Sequence, residues 1–267
     1  MMEERKLIDK WDITLPHLPT VLAGVRIAHL TDLHITHHRH RYKRIMAELT
    51  THRIDLVALT GDYMSGLSMP ESSLTVMKQL IKEVKPRYGF YGVFGNHDTP
   101  DLIECFKSQL DVNWLDDQSA MIGDLPLQIL GVNGDQVTRP GSLGIASQIK
   151  RQDDQANPVV SVVLSHFPCF LPLAADIGAD VMLSGHTHGG QLRIPGFGAF
   201  VNHSDLPLKY SSGLLRHGNT LGFVSRGLGE VGLPMRFNCP PQLPLYTFRR
   251  GPLPGTPCTK TVGINAW

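Results

Sequence analysis

The segment LSGHTHGGQ, residues 183–191, places two histidines one residue apart at the end of the apolar run DVML. Imidazole nitrogens at this spacing, between glycines that allow the backbone to turn, are suited to binding a transition metal. The pair by itself leaves a second interpretation open, a polar loop that carries two solvated histidines. Segments elsewhere in the chain have to decide between a metal site and a solvated loop.

Four further apolar runs are each followed by residues that can bind a metal. In chain order, these residues are Asp32 and His34 after VRIAHLT, Asp62 after LVALTG, Asn96 after YGVFG and His166 after VVLS. With His186 and His188 they offer carboxylate, imidazole and amide oxygen ligands, a mixture that suits Mn, Fe or Zn and contains too much nitrogen for Ca or Mg. The recurrence at five strand ends favours a metal site over scattered polar residues.

The spacing and the number of these ligands predict their arrangement. If extended geometry persists beyond the strand ends, Asp32 and His34 project to the same side, as do His186 and His188. Seven ligands are too many for one mononuclear centre. Two ions that share a bridging carboxylate would use all seven, so the sequence predicts a dinuclear centre.

The elements that must position these ligands alternate between short apolar runs and helical patterns. Strands are predicted at residues 25–30, 55–60, 90–94, 127–132, 159–164 and 180–184, and helices at 41–52, 73–84, near 100–110, near 142–155 and near 169–176. This alternation indicates an α/β fold with largely buried sheets. Open α/β sheets collect their sites at the carboxyl ends of strands, which is where the candidate ligands lie.

The character of the chain changes after residue 190. Gly and Pro become frequent, and the segments TLGFVSR and LPLYTFRR predict strands in a β-rich tail. Because no linker, repeat or low-complexity stretch interrupts the chain, we predict one domain over residues 1–267. About 20 residues at the N-terminus are expected to be peripheral, and about 20 at the C-terminus to form a tail.

Composition narrows the classes of function. A formal net charge of +1 over 267 residues gives no electrostatic reason to expect nucleic acid or an anionic membrane as the main partner. No apolar run approaches the roughly 20 residues of a membrane span, and the N-terminal MMEERKLIDKWDI has no apolar signal core. The four cysteines are far apart, as expected of free thiols in a reducing compartment. We therefore expect a cytoplasmic protein.

The order of the ligand segments resembles a known family. D-x-H, GD, GNHD, a lone His and GHTH, in this order, are similar to the motifs of the calcineurin-like metallophosphoesterases. The later segments GHTHGGQLRIPGFG, SRGLG and RFNCPP resemble the bacterial phosphodiesterase branch of that superfamily. The resemblance implies a four-layer αββα sandwich of two mixed sheets flanked by helices.

The resemblance also implies a role for each candidate residue. One ion would bind Asp32, His34, Asp62 and His188, and the other Asp62, Asn96, His166 and His186, with Asp62 bridging. His97 would lie near the leaving group as a proton donor, oriented by Asp98, although Asp98 alternatively caps the helix that follows. Two divalent ions about 3.5–4 Å apart would activate a water molecule and clamp the phosphoryl group. Mn, Fe, Zn and Co all remain open as the metal.

Several functions fit this resemblance. The first is hydrolysis of a phosphodiester or pyrophosphate bond in a small molecule, and a UDP-2,3-diacylglucosamine-type pyrophosphatase of lipid A synthesis is an alternative. A protein phosphatase is disfavoured because GDYMSG and FGNHD lack the arginines of that group. An inactive scaffold is disfavoured because the ligand set is complete.

Some features keep a structural and a functional interpretation. The apolar segment IPGFGAFV, residues 194–201, is either a plain hairpin or a surface for an apolar, lipid-linked substrate or for peripheral contact with the inner membrane. HHRH at residues 37–40 is interpreted as a solvated basic turn, with phosphate or metal binding as the alternative. His29 is interpreted as a structural histidine, and Arg193 and Arg226 as surface arginines.

Overall fold

The computed structural model describes residues 7–36, 39–65, 70–133, 158–202, 204 and 206–255. The helical signal near 142–155 and His37 and His38 of the basic run lie outside these residues. The helices are α1 (Arg39–Thr50), α2 (Pro70–Glu83), α3 (Pro100–Gln109) and α4 (Leu171–Asp176).

The strands of the described residues form two six-stranded sheets and a small hairpin. The first sheet contains, from edge to edge, β1 (Ile8–Leu15), β14 (Leu243–Arg250), β2 (Arg26–Leu30), β3 (Leu56–Thr60), β4 (Phe90–Val93) and β5 (Asn113–Trp114). The second contains β12 (Gly213–His217), β13 (Thr220–Val224), β9 (Val181–Ser184), β8 (Val160–Ser165), β7 (Leu127–Val132) and β6 (Ser119–Met121). The hairpin is β10 (Arg193–Ile194) with β11 (Gly198–Ala199).

Both large sheets mix parallel and antiparallel pairs. In the first sheet β2, β3, β4 and β5 are parallel, β14 runs antiparallel to β2, and β1 runs parallel to β14. In the second, β7, β8, β9 and β13 are parallel, and antiparallel strands β6 and β12 form the two edges. The central parallel strands β3, β4, β8 and β9 are buried along their whole length and consist mainly of apolar residues, because both of their faces are covered.

Three apolar layers hold these elements together. The largest lies between the sheets and contains Ile27 and Ala58 of the first sheet and Val162 and Leu183 of the second. A second layer packs α1, α2 and α3 on the outer face of the first sheet, and a third packs α4 on the second sheet. The four-layer αββα sandwich implied by the sequence is therefore confirmed.

Helix α1 shows how the pattern of the sequence creates this packing. Tyr42, Ile45, Met46 and Leu49 recur at helical spacing and are all buried against the first sheet.

Among the described helices, none is long and apolar enough to span a bilayer. The cysteines in the described part of the chain form no disulfide.

The N-terminal segment differs from the peripheral stretch that we expected. Ile8–Leu15 forms β1 along the whole length of β14, and Ile13 and Leu15 are buried in the layer between the sheets. The strand was not predicted from IDKWDITL because this edge strand carries charged residues at its exposed positions, which weakens the apolar pattern of a strand.

Candidate metal centre

Six of the seven expected ligands meet where the two sheets face each other. Asp32 and His34 follow β2, Asp62 follows β3, His166 follows β8, and His186 and His188 follow β9, and all six side chains are buried. The parallel strands deliver them because their carboxyl ends share one edge of each sheet.

The first group of ligands consists of Asp32, His34, Asp62 and His188, whose ligand atoms all lie within 4.8 Å of one another. Nε2 of His34 lies 3.1 Å from Nε2 of His188 and 3.4 Å from Oδ2 of Asp62. Nε2 of His188 lies 3.5 Å from Oδ1 of Asp32. Four donor atoms therefore surround one point.

A second group shares the Asp62 carboxylate with the first. Nε2 of His166 lies 3.3 Å from Oδ2 of Asp62 and 3.2 Å from Nδ1 of His186. The same oxygen of Asp62 thus faces one imidazole of each group. This is the geometry expected of a carboxylate that bridges two ions.

The distances fit bound transition metals. Ligand atoms that bind one ion at 2.0–2.2 Å lie about 3.0–3.5 Å apart, which matches the contacts in both groups. Buried imidazole nitrogens aimed at one another and at carboxylates form a donor set that a divalent transition metal accepts. The residues present therefore fit two such ions.

The backbone at the ligands is left-handed. Asp32, His34, Asp62, His186 and His188 have φ values of 50°, 40°, 56°, 69° and 51°, although none is glycine. Such conformations are uncommon for residues with a side chain and concentrate at functional sites. They mark these five positions as constrained by the site.

The left-handed turns correct our expectation about how the side chains are aimed. Extended geometry does not persist, because β2 ends at Leu30 and β9 at Ser184. His186 and His188 accordingly point to different partners, His186 to His166 and His188 to His34. The prediction that strand alternation directs both rings of the GHTH segment to the same side is therefore wrong.

Two glycines let the segments approach each other this closely. A Cβ atom at Gly95 would collide with Asp62 and with Nδ1 of His166. A Cβ atom at Gly185 would collide with the side chains of Thr31 and Asp32. The space for the ligand side chains therefore depends on glycine at both positions.

Asn96 and His97 lie at the open side of the centre. Asn96 is exposed and follows Gly95, so its side chain as a ligand stays a prediction. His97 is half-buried, its backbone N–H donates to Oδ1 of Asp62 at 2.9 Å, and its ring lies edge-on to His34 with centroids 5.1 Å apart. The His97 side chain is thus next to the first group of ligands.

Asp98 holds the loop of the bridging carboxylate. Its buried carboxylate accepts hydrogen bonds at 2.8 Å from the backbone N–H groups of Asp62, Tyr63 and Gly95. The alternative that Asp98 caps α3 is wrong, since Thr99 occupies the N-cap and accepts from the N–H of Leu102. Asp98 therefore holds the turn at Asp62 and the turn at Gly95 together.

The carboxylates and imidazoles strongly influence one another's ionisation. Burial raises the pKa of Asp98 to about 7, and the charge of Asp62 acts in the same direction. Burial opposes the charged forms of Asp62 and His166, but their mutual attraction is stronger. It holds the pKa of Asp62 well below its usual range and raises the pKa of His166 to about 9. A carboxylate that is buried in this centre thus stays ionised near neutral pH only where a positive charge lies beside it.

Other residues fix the orientation of the histidine rings. Nδ1 of His166 lies 2.7 Å from the carbonyl oxygen of Thr60, so an Nδ1–H donates to it and leaves Nε2 facing Asp62. The carboxylate of Asp32 accepts from the backbone N–H of His186 at 3.1 Å, which links the two sheets directly.

Arg236 was not predicted from the sequence. It contacts His188 on the side of Nδ1, while Nε2 of His188 faces His34. The half-buried side chain of Arg236 donates to the carbonyl oxygens of Gly229 at 3.0 Å, Arg226 at 2.8 Å and His188 at 3.2 Å, and lies 3.4 Å from Nδ1 of His188. This one side chain therefore ties the turn of His188 to the loop between β13 and β14. The one indication in the sequence was its position in RFNCPP, a segment that resembles the bacterial phosphodiesterase branch.

The remaining candidates have structural contacts. His29 is buried, with Nε2 2.7 Å from Oγ1 of Thr60. Arg193 donates to Oγ of Ser212, and Arg226 donates to the carbonyl oxygen of Pro240. The segment 194–201 forms the β10–β11 hairpin, and four of its apolar side chains are exposed: Ile194, Phe197, Phe200 and Val201.

Comparison with known proteins points to one family. The sequence model of the calcineurin-like phosphoesterases matches residues 25–190. The chain is 28% identical to the uncharacterized metallophosphoesterase YkoQ of Bacillus subtilis over 232 residues, which cover 83% of each protein. It is 30% identical to the phosphodiesterase YaeI of Escherichia coli K12 over 197 residues, which cover 71% of this chain and 68% of YaeI.

A solved structure supports the fold. The crystal structure of TT1561 from Thermus thermophilus matches with a TM-score of 0.50 at 11% identity, covering 77% of this chain and 90% of the other. At this identity the likeness concerns the arrangement of the sheets and helices.

Proposed function

The chain belongs to the calcineurin-like phosphoesterase family, and on this premise we propose that it hydrolyses phosphodiester or pyrophosphate bonds with two divalent transition-metal ions. The observation that carries the proposal is the position of Asp62. One carboxylate oxygen lies 3.4 Å from Nε2 of His34 and 3.3 Å from Nε2 of His166.

The residues that would hold the ions follow from the two groups. Asp32, His34, Asp62 and His188 would hold one ion, and Asp62, His166 and His186 would hold the other. Asn96 is added to the second set as the ligand predicted from the sequence. When bound, two such ions supply an activated water molecule and positive charge opposite the phosphoryl oxygens. Mn, Fe, Zn and Co all match this donor set.

His97 is the proposed proton donor to the leaving oxygen. It lies beside His34 at the open side of the centre, and an imidazole holds or releases a proton near neutral pH. Its backbone N–H donates to Oδ1 of Asp62, so the backbone of His97 is held next to the proposed bridging carboxylate. Asp98 contributes by holding the same loop in place.

Preference for diesters and pyrophosphates is argued from the arginines beside the His188 turn. A monoester dianion favours an arginine clamp that offers free N–H donors. Arg236 donates to backbone carbonyl oxygens, and Arg226 donates to Pro240 and lies 3.9 Å from Asp9. The name of the relative YaeI, a phosphodiesterase, agrees with this preference.

A lipid-linked pyrophosphate, of the UDP-2,3-diacylglucosamine type, is a second candidate substrate. The exposed Phe197 and Phe200 of the hairpin favour it, because acyl chains need an apolar surface near the centre.

The proposed reaction is tested by comparing an aryl phosphodiester, its matching monoester and an aryl-substituted pyrophosphate in a series of Mn, Fe, Zn, Co and Mg. We expect metal-dependent hydrolysis that is faster for the diester or the pyrophosphate than for the monoester. The matched control is Asp62→Ala, which should be inactive with every metal. Faster hydrolysis of the monoester, or no hydrolysis with any metal, would overturn the proposal.

A further inference from the structure

Exposed apolar side chains are concentrated beside the metal centre. Of the nine large apolar side chains that are exposed in the described part of the chain, eight lie between residues 194 and 237. We call these eight the apolar rim: Ile194, Phe197, Phe200, Val201, Leu208, Leu233, Met235 and Phe237. Phe197, at 88% exposure, and Phe200, at 72%, project furthest into solvent. Concentration of this kind marks an interaction surface, because single exposed apolar residues are usually scattered.

The apolar rim is one surface although it comes from three segments. Leu192 and Phe237 form a bridge, and the N–H of Arg193 donates to the carbonyl oxygen of Phe237 at 2.9 Å. This places the hairpin beside the segment that carries Leu233 and Met235. The turn Leu208–Tyr210 packs against β11 of the hairpin.

The rim is joined directly to a metal ligand. Gly190 is two residues from His188, and a Cβ atom at Gly190 would collide with Ala199 of the hairpin and with the carbonyl oxygen of Val201. The side chain of Gln191 binds the backbone of Val231 and Leu233. Any partner that binds the apolar rim would therefore lie next to the metal centre.

The charge of this region differs from that of the chain as a whole. Residues 191–238 contain five Arg or Lys residues and two acidic residues, a net charge of +3, so the rest of the chain has a net charge of −2. One of the two acidic residues, Glu230, is paired with Arg41. Lys209 is exposed next to Leu208, and Arg193 lies at the base of the hairpin. Apolar side chains are therefore combined with positive charge.

This combination favours one kind of partner. A second copy of the chain, docked by the same face, would bring the positive side chains of Lys209 and Arg193 of both copies into one interface, and this repulsion opposes a symmetric dimer. The surface of an anionic bilayer offers negative headgroups and an apolar interior to the same face.

We propose that the apolar rim docks on the surface of an anionic lipid bilayer and holds the metal centre at the level of the headgroups. The substrate class that follows is a phosphodiester or pyrophosphate carried by a membrane lipid. This substrate class rests on the proposed function, whereas the docking itself does not.

The docking is tested by sedimentation of the full chain with vesicles of phosphatidylglycerol and phosphatidylcholine, and with vesicles of phosphatidylcholine alone. We expect binding to the anionic vesicles, weakened by high salt. The double variant Phe197→Ser/Phe200→Ser should bind them at least about tenfold more weakly, because two large apolar side chains no longer enter the interface. Lys209→Gln should weaken binding severalfold.

Val21→Ser is the matched control, since Val21 is exposed to 59% but lies outside the rim. It should bind the vesicles like the unchanged chain. Thermal unfolding of every variant verifies that it is folded. Absence of binding to anionic vesicles, equal binding by the double variant, or a dimer in solution that Phe197→Ser/Phe200→Ser dissociates would each overturn the proposal.

The proposed function is measured apart from docking. Hydrolysis of a small aryl diester by the unchanged chain requires no vesicle, so its failure affects the function and leaves the vesicle result to be judged by itself. If the chain binds the vesicles, hydrolysis of a lipid-linked pyrophosphate presented in them should exceed hydrolysis of the same lipid in neutral detergent. Equal rates would overturn the substrate class.

Discussion

Nε2 of His34 and Nε2 of His188 lie 3.1 Å apart although 154 positions separate the two residues in the chain. His34 follows a strand of the first sheet, and His188 follows a strand of the second. The centre therefore forms only when the two sheets pack on each other. Neither half of the sandwich has the complete set of ligands.

Removal of the bridging carboxylate should be more damaging than removal of a ligand to one ion. Asp62→Ala is expected to lose both metals because Oδ2 faces both groups of histidines, whereas His34→Ala should retain close to one ion per chain. Elemental analysis after reconstitution, compared with the unchanged chain at about two ions, measures this difference. Equal metal content in the two variants would contradict the bridging role.

Loss of the His97 side chain should affect the reaction and not the metals. His97→Ala is expected to keep both ions and to lower kcat by about 10²–10⁴, the usual contribution of a positioned acid. The loss should shrink for substrates with very acidic leaving groups, which need no proton. A loss that does not change with the pKa of the leaving group would make His97 a binding residue.

Asp98→Asn is expected to affect the structure of the metal centre and not the proton transfer that is proposed for His97. In Asp98→Asn, one amide oxygen replaces the two oxygens that accept from three buried N–H groups. Leaving a donor without an acceptor should cost about 1–3 kcal/mol of stability. Metal retention and thermal unfolding should both change, while the dependence of kcat on the leaving group should remain. A variant that lost this dependence would place Asp98 in the proton transfer.

Arg236→Lys should weaken metal binding without removing a ligand. Lysine keeps the charge but cannot donate to Gly229, Arg226 and His188 at the same time, so the turn of His188 loses its support. We expect metal affinity about 10–100-fold lower in competition with a chelator. Arg226→Lys is the control, because Arg226 contacts a single carbonyl oxygen, that of Pro240. If only thermal stability fell, Arg236 would have no role in the metal centre.

His29 should contribute to the loss of stability in acid. Burial lowers its pKa from 6.5 to about 3, so the folded protein disfavours the protonated ring. The stability is present above the unfolded pKa of 6.5 and is lost as the pH falls towards 3, at up to about 1.4 kcal/mol per pH unit.

The measurement is urea unfolding with a chelator present at pH 7 and pH 4.5. His29→Gln should lose about 2 kcal/mol less than the unchanged chain between these values, because glutamine does not titrate. An identical loss in both proteins would show that His29 is not held neutral by the fold.

The strands that precede the candidate ligands could be predicted because their signal is local. Short apolar runs ending in Asp, His or Asn identified β2, β3, β4, β8 and β9 within one residue of the observed bounds. Strand β1 was missed because four of its eight positions are only partly buried, and Asp9 and Lys10 interrupt the alternation that residues 11–15 show.

Other parts of the site depend on contacts between distant segments. Left-handed φ values at His186 and His188 could not be predicted, because positive φ is uncommon even for histidine, which adopts it more often than most residues with a side chain. The partners of Arg236 are carbonyl oxygens, which every residue has, so its role could not be recognised from residue types. The same holds for Asp98, which accepts from backbone N–H groups of two separate loops.

The place of β14 in the first sheet has a consequence for synthesis. Leu243–Arg250 lies between β1 and β2, so the strand nearest the N-terminus has its described partner more than 230 positions further along the chain. On the ribosome, Ile8–Leu15 therefore remains without this partner until Leu243–Arg250 has been translated. During that interval β2 has an unpaired edge, where a second nascent chain can pair. Ribosome spacing and chaperone access thus become relevant to whether this phosphoesterase reaches its native state.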